Sequence, residues 1–350
     1  VSFGTFNSRL VVAILGVITL IIVVGTFQHP PVEILQRGYR GTAMVEVYNP
    51  ASLAALQTSN KVPPPTDRPD ASGQTAGQTF ENVQVLKDVD SSEFVRLMTD
   101  ITTWVAPTQG CAYCHADGEP LSSDKLYTKV VARRMLQMTR HINGDWHNHV
   151  ADTGVTCYTC HRGQPVPSNI WFKNGGPPTA PGSDGDRADQ NWPIAAVGRT
   201  SLPFDPFTAF LNHDDDVRVV STTALPEGDR HSIKQTEWTY ALMMNISQSL
   251  GVNCTFCHNS RSFAAWDQST PAREIAYYGI RMVRDVNINF LDGLASTFPH
   301  DRLGPLGDGP KVNCATCHQG VYKPLFGADM LKDYPELAGP VAAPVSAPPK

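Results

Sequence analysis

No feature constrains this 350-residue chain more than its cysteines. All eight fall in four Cys-x-x-Cys-His motifs. They are Cys111-Ala-Tyr-Cys114-His115, Cys157-Tyr-Thr-Cys160-His161, Cys254-Thr-Phe-Cys257-His258 and Cys314-Ala-Thr-Cys317-His318. Two cysteines at this spacing each form a thioether to one haem, and the adjacent histidine then ligates iron on the proximal face. Zinc binding or thiol redox chemistry would use the cysteines but would leave the four adjacent histidines unexplained. Four covalently bound haem c groups are expected, with no cysteine left over for a disulfide or a lipid anchor.

Haem c is attached outside the bacterial cytoplasm, so the motifs imply export. Leu10 to Phe27 is an uncharged apolar run of 18 residues, near the lower limit for a helix that spans a bilayer. A cleaved signal peptide is the rival reading, but its apolar core is usually shorter and ends at a small-residue cleavage site. Here Gln28-His29-Pro30-Pro31 follows. The expectation is a transmembrane anchor with the N-terminus inside and the haem motifs in the periplasm. The formal net charge of −5, made more negative by haem propionates, argues against nucleic acid as a partner.

The 28 prolines and 27 glycines point to long irregular loops between helices. Strand-like pieces such as Thr42 to Tyr48 follow the anchor, and Gln57 to Thr79 reads as a surface loop. Amphipathic helices carrying methionine then precede the motifs. Phe94, Leu97, Met98, Ile101 and Val105 share one face, with an N-cap offered at Asp90 and a stop at Pro107. Val131, Met135, Met138 and Ile142 share a second. Tyr240, Met243, Ile246 and Leu250 share a third, closed by Gly251. A fourth helix starts at Thr270-Pro271 and runs to about Leu291.

A haem that only carries electrons needs a sixth iron ligand, and methionine supplies one that favours ferrous iron. Met98, Met135 and Met243 are the candidates, against the ordinary reading of each as a core methionine. Met138 competes with Met135 on the same face. Met244 competes with Met243 but points about a hundred degrees away. Spacing does not choose among Met282, His141, His147 and His149 for the last haem. His29, His213, His231 and His300 read as surface residues.

The stretch Trp146 to Gly163, with its Trp-His-Asn-His and Cys-Tyr-Thr-Cys-His-Arg-Gly elements, resembles the cytochrome subunit of purple-bacterial photosynthetic reaction centres around its second haem. Asn253 to Ser260 resembles the third. The resemblance covers roughly residues 30 to 335. It implies the iron ligand pairs Met98/His115, Met135/His161, Met243/His258 and His149/His318. It implies that the haem of His258 lies nearest the bacteriochlorophyll special pair. The haem of His115 would lie at the far end, where a soluble cytochrome c or high-potential iron–sulfur protein docks. Many relatives carry an N-terminal lipidated cysteine; here the apolar helix would replace it and touch reaction-centre core or light-harvesting antenna subunits.

The expected fold is mainly α, a multihaem cytochrome c of two pseudo-repeated dihaem halves. The expected segments are the anchor (1–28), a loop-rich segment (29–85), the first dihaem half (86–165), a connection (166–228), the second half (229–325) and a disordered tail (326–350). Arg133, Arg134, Arg162, Arg273 and Arg281 are candidates to offset propionate charge, though a solvated helix face is the ordinary reading. Asp214-Asp215-Asp216 reads as a solvated loop. The expected role is an electron carrier without substrate turnover. The alternative, a membrane quinol dehydrogenase or reductase, would need a quinol site and commonly an irregular haem.

Overall fold

The computed structural model describes residues 8–27, 32–176, 191–219 and 233–339. His29 and His231 lie outside the described residues, as do the far ends of the anchor and the tail.

Helix α1 (Ser8–Thr26) buries none of its side chains. A helix that is apolar all round and exposed all round is unfavourable in water. Its 19 residues span about 28 Å, close to the hydrocarbon thickness of a bilayer.

Strands β1 (Glu33–Gln36) and β2 (Val45–Tyr48) form an antiparallel hairpin with Ile34 opposite Val47 and Leu35 opposite Glu46. Glu46 is buried and accepts hydrogen bonds from the Asn253 N–H (2.6 Å) and the Tyr48 hydroxyl (2.6 Å). Met44 N–H donates to the Thr255 hydroxyl at 2.7 Å. The hairpin is thus fastened to the third motif. Burial, then Glu46, push the Tyr48 hydroxyl up to about 12, so it stays a donor at any ordinary pH.

Helix α2 (Pro50–Ser59) was not anticipated from the hydrophobic pattern. Its signal is local: the Asn49 side chain caps Ala51 N–H at 2.8 Å and Pro50 takes the first helical position. The short helix α3 (Ala76–Thr79) interrupts the expected loop through a capping box between Thr75 and Gln78.

Helix α4 (Ser91–Val105) is capped as expected, with the Asp90 carboxylate accepting from Ser92 N–H at 2.9 Å. Its buried face carries Leu97 and Trp104. These meet Leu86, Leu325, Met330, Tyr334 and Leu337 in one apolar cluster. Trp104 and Tyr334 pack edge to face at 4.7 Å, and the Arg96 guanidinium covers the Tyr334 ring at 4.5 Å while pairing with Glu93 at 2.7 Å. The segment expected as a disordered tail from residue 326 therefore packs as far as residue 339. Its aromatic and apolar residues are spaced irregularly, and their burial comes from helices far away in sequence.

Helices α5 (Tyr127–Asp145), α6 (His147–Val150), α8 (Ile233–Leu250) and α9 (Pro271–Val286) surround a second cluster that includes Ile142, Trp146, Leu242, Ile246, Met282 and Val286. Part of the expected connection joins it: Phe207, Phe210 and Leu211, in and beside a wide helical turn at Thr208–Asn212, are buried there. Helix α9 starts at Pro271 as expected. The Thr270 hydroxyl does not cap it but donates to the Phe256 carbonyl at 2.5 Å, tying the helix to the third motif. Helices α7 (Cys157–His161) and α10 (Cys314–His318) are themselves the second and fourth motifs.

The haem-attachment motifs and the side chains around them

The four motifs adopt two local conformations. The first and third are tight turns, Gly110–Tyr113 and Cys254–Phe256, and each second cysteine stays right-handed. The second and fourth are short α-helices opened by capping boxes, Thr156 with Thr159 and Asn313 with Thr316. Each of these ends in a left-handed residue that is not glycine, Arg162 (φ 48°) and Gln319 (φ 47°).

The contacts around them repeat as well. Gly163 N–H donates to the carbonyl of Trp104 in α4 at 2.7 Å, and Gly320 N–H to the carbonyl of Ser249 in α8 at 2.8 Å. The Thr128 hydroxyl donates to the Tyr113 carbonyl, as Thr270 does to Phe256.

All four motif histidines are held the same way. Nδ1 lies 3.0 Å from the Leu121 carbonyl for His115, 2.8 Å from Gln164 for His161, 2.8 Å from Phe263 for His258 and 3.0 Å from Val321 for His318. A carbonyl only accepts, so Nδ1 carries the proton and Nε2 presents a lone pair. This is the orienting bond that metal-ligating histidines commonly make. Burial holds all four imidazoles below their ordinary value. For His318 burial, then the neighbouring His149, push it down to about 4. The rings are neutral at pH 7 and fit for metal.

His149 shares this pattern, with Nδ1 2.9 Å from the Ile275 carbonyl. Its ring faces that of His318 with centroids 6.0 Å apart. Two imidazoles on one metal need about 4 Å between their nitrogens, from two bonds of about 2 Å, and each ring adds its own radius. The two competing histidines are engaged elsewhere. His141 contacts Asp145 through Nδ1 and Asp285 through Nε2 (2.5 Å), and exposed His147 lies 3.6 Å from Asp152. His213 and His300 are exposed.

Gly279 in α9 is a residue that sequence reasoning missed. A Cβ there would lie 2.5 Å from His149 Cε1, so only glycine leaves room for the imidazole this close to the helix. A glycine inside a strongly amphipathic helix was the available signal.

The methionines separate by neighbourhood. Met98 borders the cluster of Leu97 and Trp104, while Met135, Met138 and Met243 border the cluster around α5, α8 and α9. Met244 packs instead against Val197, Leu202 and Ala241. Met282 is buried among core residues.

Burial pushes the thiols of Cys157 up to about 12 and of Cys257 and Cys314 up to about 11. Redox-active Cys-x-x-Cys pairs have thiols shifted the opposite way. Among the described residues no three His, Cys, Asp or Glu side chains gather as a metal cluster, which zinc would need. Cys160 and Cys317 are bonded to each other, which departs from the expectation that no cysteine is left for a disulfide. Helices α7 and α10 bring the two Cα atoms to 4.4 Å. The sulfur in that bond is the one a haem thioether uses, so these cysteines hold either each other or two haems. Arg162 Nε and Trp238 Nε1 are buried without a hydrogen-bond partner. The oriented histidines beside paired cysteines fit a haem held by thioethers and histidine.

A largely helical chain with repeated Cys-x-x-Cys-His sites of this kind is a c-type cytochrome. The family model for the photosynthetic reaction centre cytochrome c subunit matches residues 28–338. The chain is 54% identical over 324 residues to the photosynthetic reaction center cytochrome c subunit of Rubrivivax gelatinosus, covering 91% of this chain and 87% of that protein. It is 49% identical to that of Thermochromatium tepidum over 89% of this chain and 76% of that one. For Roseobacter denitrificans the values are 40%, 86% and 90%. The chain belongs to the family of photosynthetic reaction centre cytochrome c subunits. Its role is electron transfer, with covalently bound haem c.

Proposed function

We propose that this chain holds four haem c groups and passes electrons from a soluble periplasmic donor to the photo-oxidised bacteriochlorophyll special pair of the reaction-centre core. The eight motif cysteines carry the thioethers, Cys160 and Cys317 included. Met98/His115, Met135/His161, Met243/His258 and His149/His318 hold the irons. Bound haem supplies a one-electron ferric/ferrous couple; with both axial faces closed, no face is left for a substrate. The observation that carries the reading is His149 opposite His318, both with Nδ1 tied to carbonyls and Nε2 left free.

The repeated contacts support two related dihaem halves. In the first, α4 leads to the turn at Gly110 and then to α7. In the second, α8 leads to the turn at Cys254 and then to α10.

Helix α1 crosses the membrane once, with the haem domain in the periplasm and α1 available to core or antenna subunits. The covalent reach from Phe27 to Glu33 is at most about 20 Å, and the hairpin that begins at Glu33 clasps the third motif. This tether supports His258 as the membrane-proximal site and His115 as the end that meets a soluble cytochrome c or high-potential iron–sulfur protein.

Flash photolysis of membranes containing this chain tests the reading. After a flash, oxidation of c-type haem should appear as the special pair is re-reduced. Recovery of the pair with no haem oxidation would overturn it.

A further inference from the structure

The second and fourth motifs meet back to back, and the contact is almost symmetric. Arg162, directly after His161, donates from Nη2 to the Cys317 carbonyl at 3.0 Å. Gln319, directly after His318, donates from Nε2 to the Cys160 carbonyl at 3.4 Å. Both residues hold the same left-handed backbone. The symmetry fails in charge, since one position carries a cation and the other a neutral amide.

That cation is uncompensated. Arg96 faces Glu93, Asp100 and Glu336, Arg133 faces Asp124 and Arg284 faces Asp214. Arg162 reaches only backbone carbonyls, those of Cys317 and Ser59, and its Nε is buried without a partner. No acidic side chain pairs with it among the described residues. Thioethers join a haem at the edge opposite its propionates, so haems attached at Cys160 and Cys317 would turn their propionates away from Arg162. Arginine stays charged under all ordinary conditions. A fixed positive charge in a partly buried place is weakly screened and disfavours the extra charge of ferric iron.

We propose that Arg162 is a shared tuning residue whose single charge, seated where Cys160 and Cys317 approach, raises the potentials of both the second and the fourth haem. The proposal rests on the four-haem reading above. Arg162→Gln places at this position the residue found at 319 and keeps a donor for the Cys317 carbonyl. Haem content is measured first, then each midpoint by spectroelectrochemical titration. Two of the four midpoints should fall, one of them belonging to the bis-histidine haem recognised by its EPR signature. At a fixed potential, the reduced-to-oxidised ratio of each should drop by up to about tenfold, or 59 mV for a one-electron couple. Arg162→Lys should stay near the parent. Gln319→Arg, a second route should Arg162→Gln not load, should raise the same two midpoints. Four unchanged midpoints, a shift confined to one haem, or an equal drop in Arg162→Lys would overturn the tuning role. Fewer than four haems in the parent protein would instead overturn the four-haem reading.

Discussion

Replacing Met243 with histidine lowers the midpoint of one haem by on the order of 0.1 V and leaves the other three in place. The direction follows from ligand chemistry. Thioether sulfur is a weak, soft donor that favours ferrous iron, whereas imidazole stabilises ferric iron. The place follows from packing. Met243 lies in the middle of α8, one turn before Ile246, and borders the cluster shared with α9. Its neighbour Met244 lies on another face, against Val197 and Ala241, where a Cβ on Gly198 would lie 3.3 Å from its Cε. Met244→Leu is therefore the control, expected to keep all four potentials. The ferric spectrum of Met243→His should stay low-spin, because one strong-field ligand replaces another. A redox titration in which Met243→His moves no midpoint would show that this sulfur is not on iron.

Gly279→Val removes His149 from its place and opens one iron. The side chain would start 2.5 Å from His149 Cε1 and 2.9 Å from Nδ1, closer than real Cβ contacts. The ring has little room to retreat without losing its bond to the Ile275 carbonyl. Overpacking of this kind typically costs about 1–3 kcal/mol, which a folded protein can survive. The larger effect is on the iron opposite, which loses its second imidazole. Its ferric form should turn high-spin, and its ferrous form should take up carbon monoxide, in one haem of the four. Gly279→Ala should show a milder form of the same change. Fully low-spin Gly279→Val that refuses carbon monoxide would mean that His149 does not serve as a ligand.

How far the sequence revealed this arrangement depended on the range of the interactions involved. The motifs are local, and so are caps such as Asp90 and stops such as Pro107; helices α4, α5, α8 and α9 appear where their periodicity places them. The separation of Met243 from Met244 was also legible, since adjacent residues on a helix face different neighbours. His149 was not distinguishable from His141 and His147 by spacing, and only the family resemblance chose it. The contacts that set it apart, to Ile275 and His318, come from α9 and α10, more than a hundred residues away. The same limit hid the role of Gly279 and the meeting of Cys160 with Cys317. Residues 330–337 looked like part of a tail because no periodicity marks them; Met330, Tyr334 and Leu337 are buried by surfaces that α4 and α5 supply. Helix α2 was missed for a different reason. Its cap at Asn49-Pro50 is readable, but it buries none of its residues and so has no apolar stripe to follow.

The central claim is that four haems take up all eight cysteine sulfurs as thioethers and eight axial side chains on their irons. Haem stoichiometry and spin state, measured together on the intact purified protein, test it most directly. The expected result is four covalent haems per chain, no alkylatable or disulfide-bonded cysteine, a wholly low-spin ferric spectrum and no uptake of carbon monoxide without denaturation. Three or fewer haems, a surviving Cys160–Cys317 bond, or rapid carbon monoxide binding by the native ferrous protein would contradict it.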